Sequence, residues 1–154
     1  MTLASLRLAV LSLLLVAGTS FAADVGAPAN DKFTPARARM AEKNWAAAID
    51  ELKKVNDPAS ADWNNLMGYS LRKASPANAA EAEKFYNDAL RIEPRHRGAL
   101  EYSGELYLMT GNLAKAEERL AVLDKACFLP CEEYTDLKRA VGRYKAAGNK
   151  YVAQ

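Results

Sequence analysis

Apolar side chains recur along this chain at intervals of four and three, the spacing that puts them on one face of a helix. Ala48, Leu52 and Val55 form one such set; Ala82, Tyr86 and Ala89 form a second, and Ala116, Leu120 and Leu123 a third. Each set follows an Asn-x-Ala-x-Ala segment, at Asn44, Asn78 and Asn112, and these asparagines are 34 residues apart. Between the apolar sets the text turns polar, with Gly and Pro at the joints and few β-branched residues. The pattern predicts an all-α chain of seven helices.

The first runs from about Pro35 to Glu42, with Thr34 as N-cap and Pro35 in the first turn. The second spans Trp45–Val55, capped by Asn44 and ended by Asn56-Asp57-Pro58. The third starts at Ser60 or Ala61 and stops near Arg72. The fourth spans Ala79–Ile92, where Asn78 and Glu81 read as a capping box, and Pro94 closes it from outside. The fifth covers roughly Arg95–Met109, stopped by Thr110-Gly111. The sixth covers Leu113–Lys125, capped by Asn112. The seventh begins near Pro130 or Cys131 and fades around Ala147-Gly148.

The recurring Asn has a physical cause: its side chain accepts a hydrogen bond from one of the orphan N–H groups that open a helix. The recurring alanines have another. Ala48, Ala82 and Ala116 should face the first helix of their own pair, where a small side chain permits close approach, and Gly68 and Gly104 offer the matching gap. Leu at Ala82 or Ala116 should overpack that crossing and cost about 1–3 kcal/mol.

A fixed period of this length marks stacked helix–turn–helix units, each unable to bury its apolar face alone. Such stacks build an extended surface for holding another molecule. The residues resemble the tetratricopeptide repeat (TPR) family. Met67, Gly68, Leu71, Ala82, Tyr86, Ala89 and Pro94 supply one repeat, and Gly104, Tyr107, Ala116, Leu120 and Leu123 supply the next, which lacks the closing Pro. An upstream copy keeps Trp45, Ala48, Leu52 and Val55 but has a short first helix without Gly. The resemblance covers about residues 34–125. It implies a TPR-like solenoid of about three repeats with the seventh helix as a C-terminal cap. Gly68 to Gly104 is two residues longer than Ala82 to Ala116, and the excess falls in a longer turn at residues 73–77.

The ends read differently. Arg7 precedes an almost wholly apolar run, Leu8–Val16, and Ser20 and Ala22 suit the small pockets of a signal peptidase. Residues 1–22 therefore read as a secretory signal, too short in its apolar run to span a membrane. No Cys stands near the cut, which argues against lipid modification there. Residues 23–33 read as a flexible leader, 34–147 as the repeat domain and 148–154 as a flexible tail. Loss of Arg7 from 21 basic residues leaves 20 against 19 acidic ones. A near-neutral domain suits neither nucleic acid, which demands phosphate neutralisation, nor a polybasic membrane contact. The expected location is outside the cytoplasm, and periplasmic if the cell is Gram-negative.

The resemblance also implies a site. TPR proteins bind extended peptides or partner helices along the concave face, which is lined by the first helix of each pair. Here that geometry points to Arg37 and Met40, then Asn65, Tyr69, Arg72 and Lys73, then Glu101, Glu105, Leu108 and Met109. The face would be basic at one end and acidic at the other, with Tyr69 between, and would suit a segment of mixed charge with an apolar anchor. The plain alternative is that these are solvated helix residues, with Leu108 and Met109 packed under the seventh helix. The family's carboxylate clamp of Lys and Asn is not reproduced: the corresponding places hold Asn65 and Tyr69, then Gly98 and Tyr102.

Cys127-Phe-Leu-Pro-Cys131 flanks the corner between the sixth and seventh helices. In an oxidising compartment the pair should form a disulfide stapling the cap to the stack. The redox alternative, a thiol–disulfide active site, wants a Cys-x-x-Cys spacing at a helix start, one residue shorter than this. Metal binding has only two thiols and one distant histidine to draw on. His96, the only histidine, should be an exposed residue at the head of the fifth helix. Phosphate loops, zinc spacings and nucleophile elbows are absent from the sequence, so neither catalysis nor a cofactor is expected. The expected role is a non-enzymatic adaptor of the cell envelope that binds a protein or peptide partner. The alternatives are a redox-active or redox-sensing envelope protein using Cys127 and Cys131, and a structural subunit of an envelope assembly.

Overall fold

Each predicted helix is present in the computed structural model, which describes residues 31–152. The expected signal at 1–22 and all but the end of the leader lie outside the described residues, as do 153–154. The helices are α1 (Thr34–Ala41), α2 (Trp45–Val55), α3 (Ala61–Ala74), α4 (Ala79–Ile92), α5 (Arg97–Met109), α6 (Leu113–Ala126) and α7 (Glu132–Ala146), with a 3₁₀ turn at Pro76–Asn78. No strand occurs among the described residues. Each helix packs on the next in sequence, and α7 lies against both α5 and α6. The result is an all-α stack of helix–turn–helix units.

Two of the three recurring asparagines cap as expected. Asn44 Oδ1 accepts the Ala47 N–H at 3.2 Å, and Asn112 Oδ1 accepts the Lys115 N–H at 3.1 Å. Asn78 does not: it makes no side-chain cap on α4, and its Nδ2 donates instead to Leu71 O at 3.2 Å. The two extra residues of this joint wind into the 3₁₀ turn, which Ser75 caps by accepting the Ala77 N–H. That turn carries Asn78 back toward the end of α3, so its amide serves a late carbonyl of one helix rather than an early N–H of the other. Thr34 is likewise the first residue of α1, not its cap. The capping position falls to Phe33, which is 4 % exposed and packs with Ala36, Leu52, Trp63, Leu66 and Met67. Phe33, at the end of the stretch read as leader, is thus part of the packed core.

The core is a chain of three apolar clusters rather than one centre. The first joins α1 to α3, the second α3 to α5, and the third α5 to α7. Ile49 and Phe85 touch both the first and second, and Leu90 touches both the second and third. This is the nearest-neighbour organisation of a repeat array. Ala48, Ala82 and Ala116 are fully buried, as the spacing requires. At Gly68 a Cβ would sit 2.8 Å from Tyr86 Cε1 and 3.1 Å from Ala82 O, so the α3–α4 crossing is as close as expected. Gly104 is different. Its gap is filled by Leu137 of α7, whose Cδ2 would lie 2.6 Å from an added Cβ. The capping helix, not the partner helix of the same pair, uses that space.

Candidate functional site

The first helices of successive pairs, α1, α3 and α5, share one face, and a cavity of about 310 Å³ opens there. Helix α1 contributes Arg37 and Met40, and α3 contributes Asn65, Leu66 and Tyr69. From α5 come Gly98, Glu101 and Tyr102, and Glu133 of α7 closes the far side. Five residues of the expected groove (Arg37, Met40, Asn65, Tyr69 and Glu101) are therefore brought together. Gly98 is what lets α5 come so close to α3. A Cβ at that position would lie 2.9 Å from Asn65 Nδ2.

The remaining expected groove residues go elsewhere. The Arg72 side chain is only 5 % exposed and forms an ion pair with Glu105 at 2.8 Å. Burial pulls the guanidinium pKa down, but Tyr86 and Glu105 beside it more than offset that, so Arg72 is a permanent internal cation. The basic and acidic ends expected of the groove thus meet each other, and their charge joins two repeats instead of facing a partner. Lys73 is exposed, its ammonium 6.0 Å from the centre of the Tyr69 ring. It is not part of the cavity wall. Met109 packs against the α3–α5 cluster, and Leu108 is buried under α7 with Leu137, Ala140 and Val141. For these two the plain packing alternative holds in outline, though only Leu108 lies under the seventh helix.

Aromatic rings make a row across this face. Trp45 meets Tyr69 edge-on at 5.8 Å between centroids, and Tyr69 meets Tyr102 at 4.6 Å with a tilt of 43°. The Arg72 guanidinium carbon lies 5.7 Å from the centre of both tyrosine rings. Burial raises the pKa of Tyr69 and Tyr102, so both hydroxyls stay protonated.

Glu101 is the chemically unusual group. It is 8 % exposed, yet no hydrogen bond or ion pair holds its carboxyl. Burial first, then the negative charges of Glu105, Asp136 and Glu133, push its pKa up to about 8, with Arg72 pulling the other way. At neutral pH the group is predominantly the neutral acid. Asn65, across the cavity, is 7 % exposed and its Oδ1 has no hydrogen-bond partner. Ser70, Tyr86, Arg72 and Arg119 also hold a buried polar atom without a partner, but of these groups only Asn65 lines the cavity.

Tyr102, Gly98, Leu66 and Glu133 were not foreseen as groove residues. Tyr102 follows Tyr69 by 33 residues, the same interval that separates Arg72 from Glu105, so register alone could have found it. Glu133 carries no such signal, because its helix has no repeat partner.

The disulfide is formed, with Cys127 and Cys131 sulfurs 2.05 Å apart. Cys127 ends α6 and Cys131 opens α7, so the bridge spans the corner between them. Phe128 and Leu129 at its tip are exposed. His96 departs from expectation: its side chain is 11 % exposed, not a free surface group. Its Nδ1 accepts the Ala99 N–H at 3.1 Å, so in the neutral ring the proton sits on Nε2 and is donated to Asp62 Oδ1 at 3.0 Å. His96 is the N-cap of α5 and a tie from α5 back to α3. Among the described residues no group of three or more His, Cys, Asp or Glu side chains could hold a metal ion, and no helix is long and apolar enough to cross a membrane. No protein-family model matches the chain, and no curated protein matches it.

Proposed function

We propose that this chain is a TPR-like, non-enzymatic adaptor of the cell envelope that docks a peptide or helix of a partner protein on the concave face of α1, α3 and α5. One observation carries the reading: first helices from three successive pairs converge on one cavity, where Asn65 Oδ1 is buried with no hydrogen-bond partner beside the acidic Glu101. Buried acceptors of this kind are uncommon, and a donor from a docked partner would satisfy this one. The period of the asparagines and alanines supports the TPR assignment, and the apolar run at Leu8–Val16 supports export. The partner contributes extended backbone or a helical face to the row of Trp45, Tyr69 and Tyr102, a mode in which aromatic anchors supply most of the affinity.

Site-specific photo-crosslinking in the native envelope tests it. A crosslinker at Met40, at the cavity, should trap a discrete partner, whereas one at exposed Lys54 on the second-helix side should not. Crosslinks confined to Lys54 or to the Phe128-Leu129 tip would replace this reading with that of a structural subunit contacting neighbours elsewhere.

A further inference from the structure

The geometry points to a narrower identity for the occupant: the cavity is a receptor for an arginine side chain presented by the partner chain, with the Glu101 carboxylate and Asn65 Oδ1 as acceptors and the Tyr69 and Tyr102 rings as walls. This inference rests on the docking reading above and specifies its anchor.

The cavity offers acceptors and π-faces, and its own donors are Arg37, the Asn65 amide and the two tyrosine hydroxyls. Asn65 Oδ1 is buried without a partner, and Glu101, 8 % exposed, turns its carboxyl to the same cavity. Glu133 adds a second carboxylate, held only by a loose contact to Arg97 at 3.7 Å. The cations nearby are already engaged. Arg37 donates from Nε to Asp31 Oδ2 at 3.2 Å, and Arg72 is paired with Glu105 and lies outside the cavity wall. What complements two carboxyl groups, a carbonyl oxygen and two tyrosine rings is a planar cation with several N–H donors. A guanidinium fits because it forks to a carboxylate while stacking on an aromatic face. An ammonium makes the same charge contact but lacks the plane.

Occupancy has a proton signature. The charged and titratable groups around Glu101 are Arg72 and Tyr69 on α3, Glu105 and Tyr102 on α5, Glu132, Glu133 and Asp136 on α7, and Arg37 on α1. Burial first, then Glu105, Asp136 and Glu133, keep the free Glu101 largely protonated at pH 7, with Arg72 opposing. A cation arriving beside it favours the carboxylate, so binding at pH 7 releases a proton to the buffer. Arg72 exerts its opposing influence before and after binding alike.

The test uses the full exported chain and three probes: the capped peptide Ac-Gly-Arg-Gly-NH₂, its citrulline counterpart, and methylguanidinium ion. Titration calorimetry at pH 7 in two buffers of different ionisation enthalpy reads affinity and proton release together. The arginine peptide should bind about tenfold or more tightly than the neutral citrulline peptide, with release of a fraction of a proton. Glu101→Gln should remove the release and weaken the arginine peptide about tenfold while keeping its helical spectrum. Glu133→Gln should weaken it less and keep the release, and it serves as the second variant should Glu101→Gln lose its fold. Equal binding of the arginine and citrulline peptides overturns the inference. So does binding of methylguanidinium as tight as that of the peptide, which would make the cavity a site for a free small cation. If Met40 crosslinks persist unchanged in Glu101→Gln while the two peptides bind alike, the anchor is wrong and the docking face stands. If crosslinks and peptide binding are both absent, both readings fall.

Discussion

Gly68→Ala and Gly142→Ala make the same chemical change in two helix interiors and should have opposite signs. In a solvated helix, alanine is favoured over glycine by about 1 kcal/mol, because glycine loses more backbone entropy on ordering. At Gly142, on the exposed side of α7, an added Cβ meets nothing within 4 Å, so this gain should appear nearly undiminished, at about 0.5–1 kcal/mol. At Gly68 the same Cβ would lie 2.8 Å and 2.9 Å from two ring carbons of Tyr86 and 3.1 Å from Ala82 O. Tyr86 is fully buried and the carbonyl belongs to α4, so neither contact is the free end of a flexible side chain. Overpacking of this kind costs about 1–3 kcal/mol, which exceeds the propensity gain and leaves a net loss of about 1 kcal/mol or more. Thermal unfolding followed at 222 nm reads both variants. For a domain of this size Gly142→Ala should raise Tm by about 2–5 °C and Gly68→Ala should lower it by at least as much. Tm values that rise together would mean that α3 and α4 do not cross at Gly68, and the stacking argument would fail with them.

Other outcomes follow from the same coordinates. Reducing the disulfide, or replacing Cys127 and Cys131 by Ser, should cost about 2 kcal/mol, the low end for a disulfide because the loop closed is short, and lower Tm by roughly 5–10 °C; a chain that binds its partner only in one redox state would revive the redox alternative. Arg72→Ala should destabilise by about 3–5 kcal/mol, because it removes one member of a buried ion pair, and a near-neutral effect in urea unfolding would show that the pair is solvated. The raised pKa of Glu101 makes stability depend on pH. The folded chain keeps a proton that the unfolded chain gives up near its ordinary value of 4.5, so stability falls as pH rises from there to about 8 and levels off above. Glu101→Gln should flatten that part of the Tm–pH curve, and an unchanged slope would place the cause in another group.

Much of the fold was legible because it is local and repeated. Helices two and four were bounded to the residue, and the Asn44 and Asn112 caps were foreseen, since a helix start is decided by a few neighbouring side chains. Asn78 was misread for the opposite reason: two extra residues turned its peptide into a 3₁₀ turn, and a side chain's target then depends on where the turn delivers it. The cavity face was legible in part. Arg37, Met40, Asn65, Tyr69 and Glu101 follow from choosing the first helix of each pair, but Arg72, Lys73, Glu105 and Met109 share those helices and do not line the cavity.

Periodicity in the chain by itself determined the helices, their pairing and the buried alanines, because a period of 3.6 residues and a repeat length leave few ways to hide an apolar stripe. Only the tertiary structure decided what the polar residues on those helices do. Arg72 and Glu105 are a complementary pair at one-repeat spacing, and nothing in their types says whether they meet each other or a visitor. Distance between helices settles that. It closes Arg72 onto Glu105, fills the Gly104 gap with Leu137, and leaves Glu101 largely buried beside an Asn65 Oδ1 that has no hydrogen bond. The cost of desolvating charge depends on neighbours far apart in the chain, and so it becomes visible only once they are brought together.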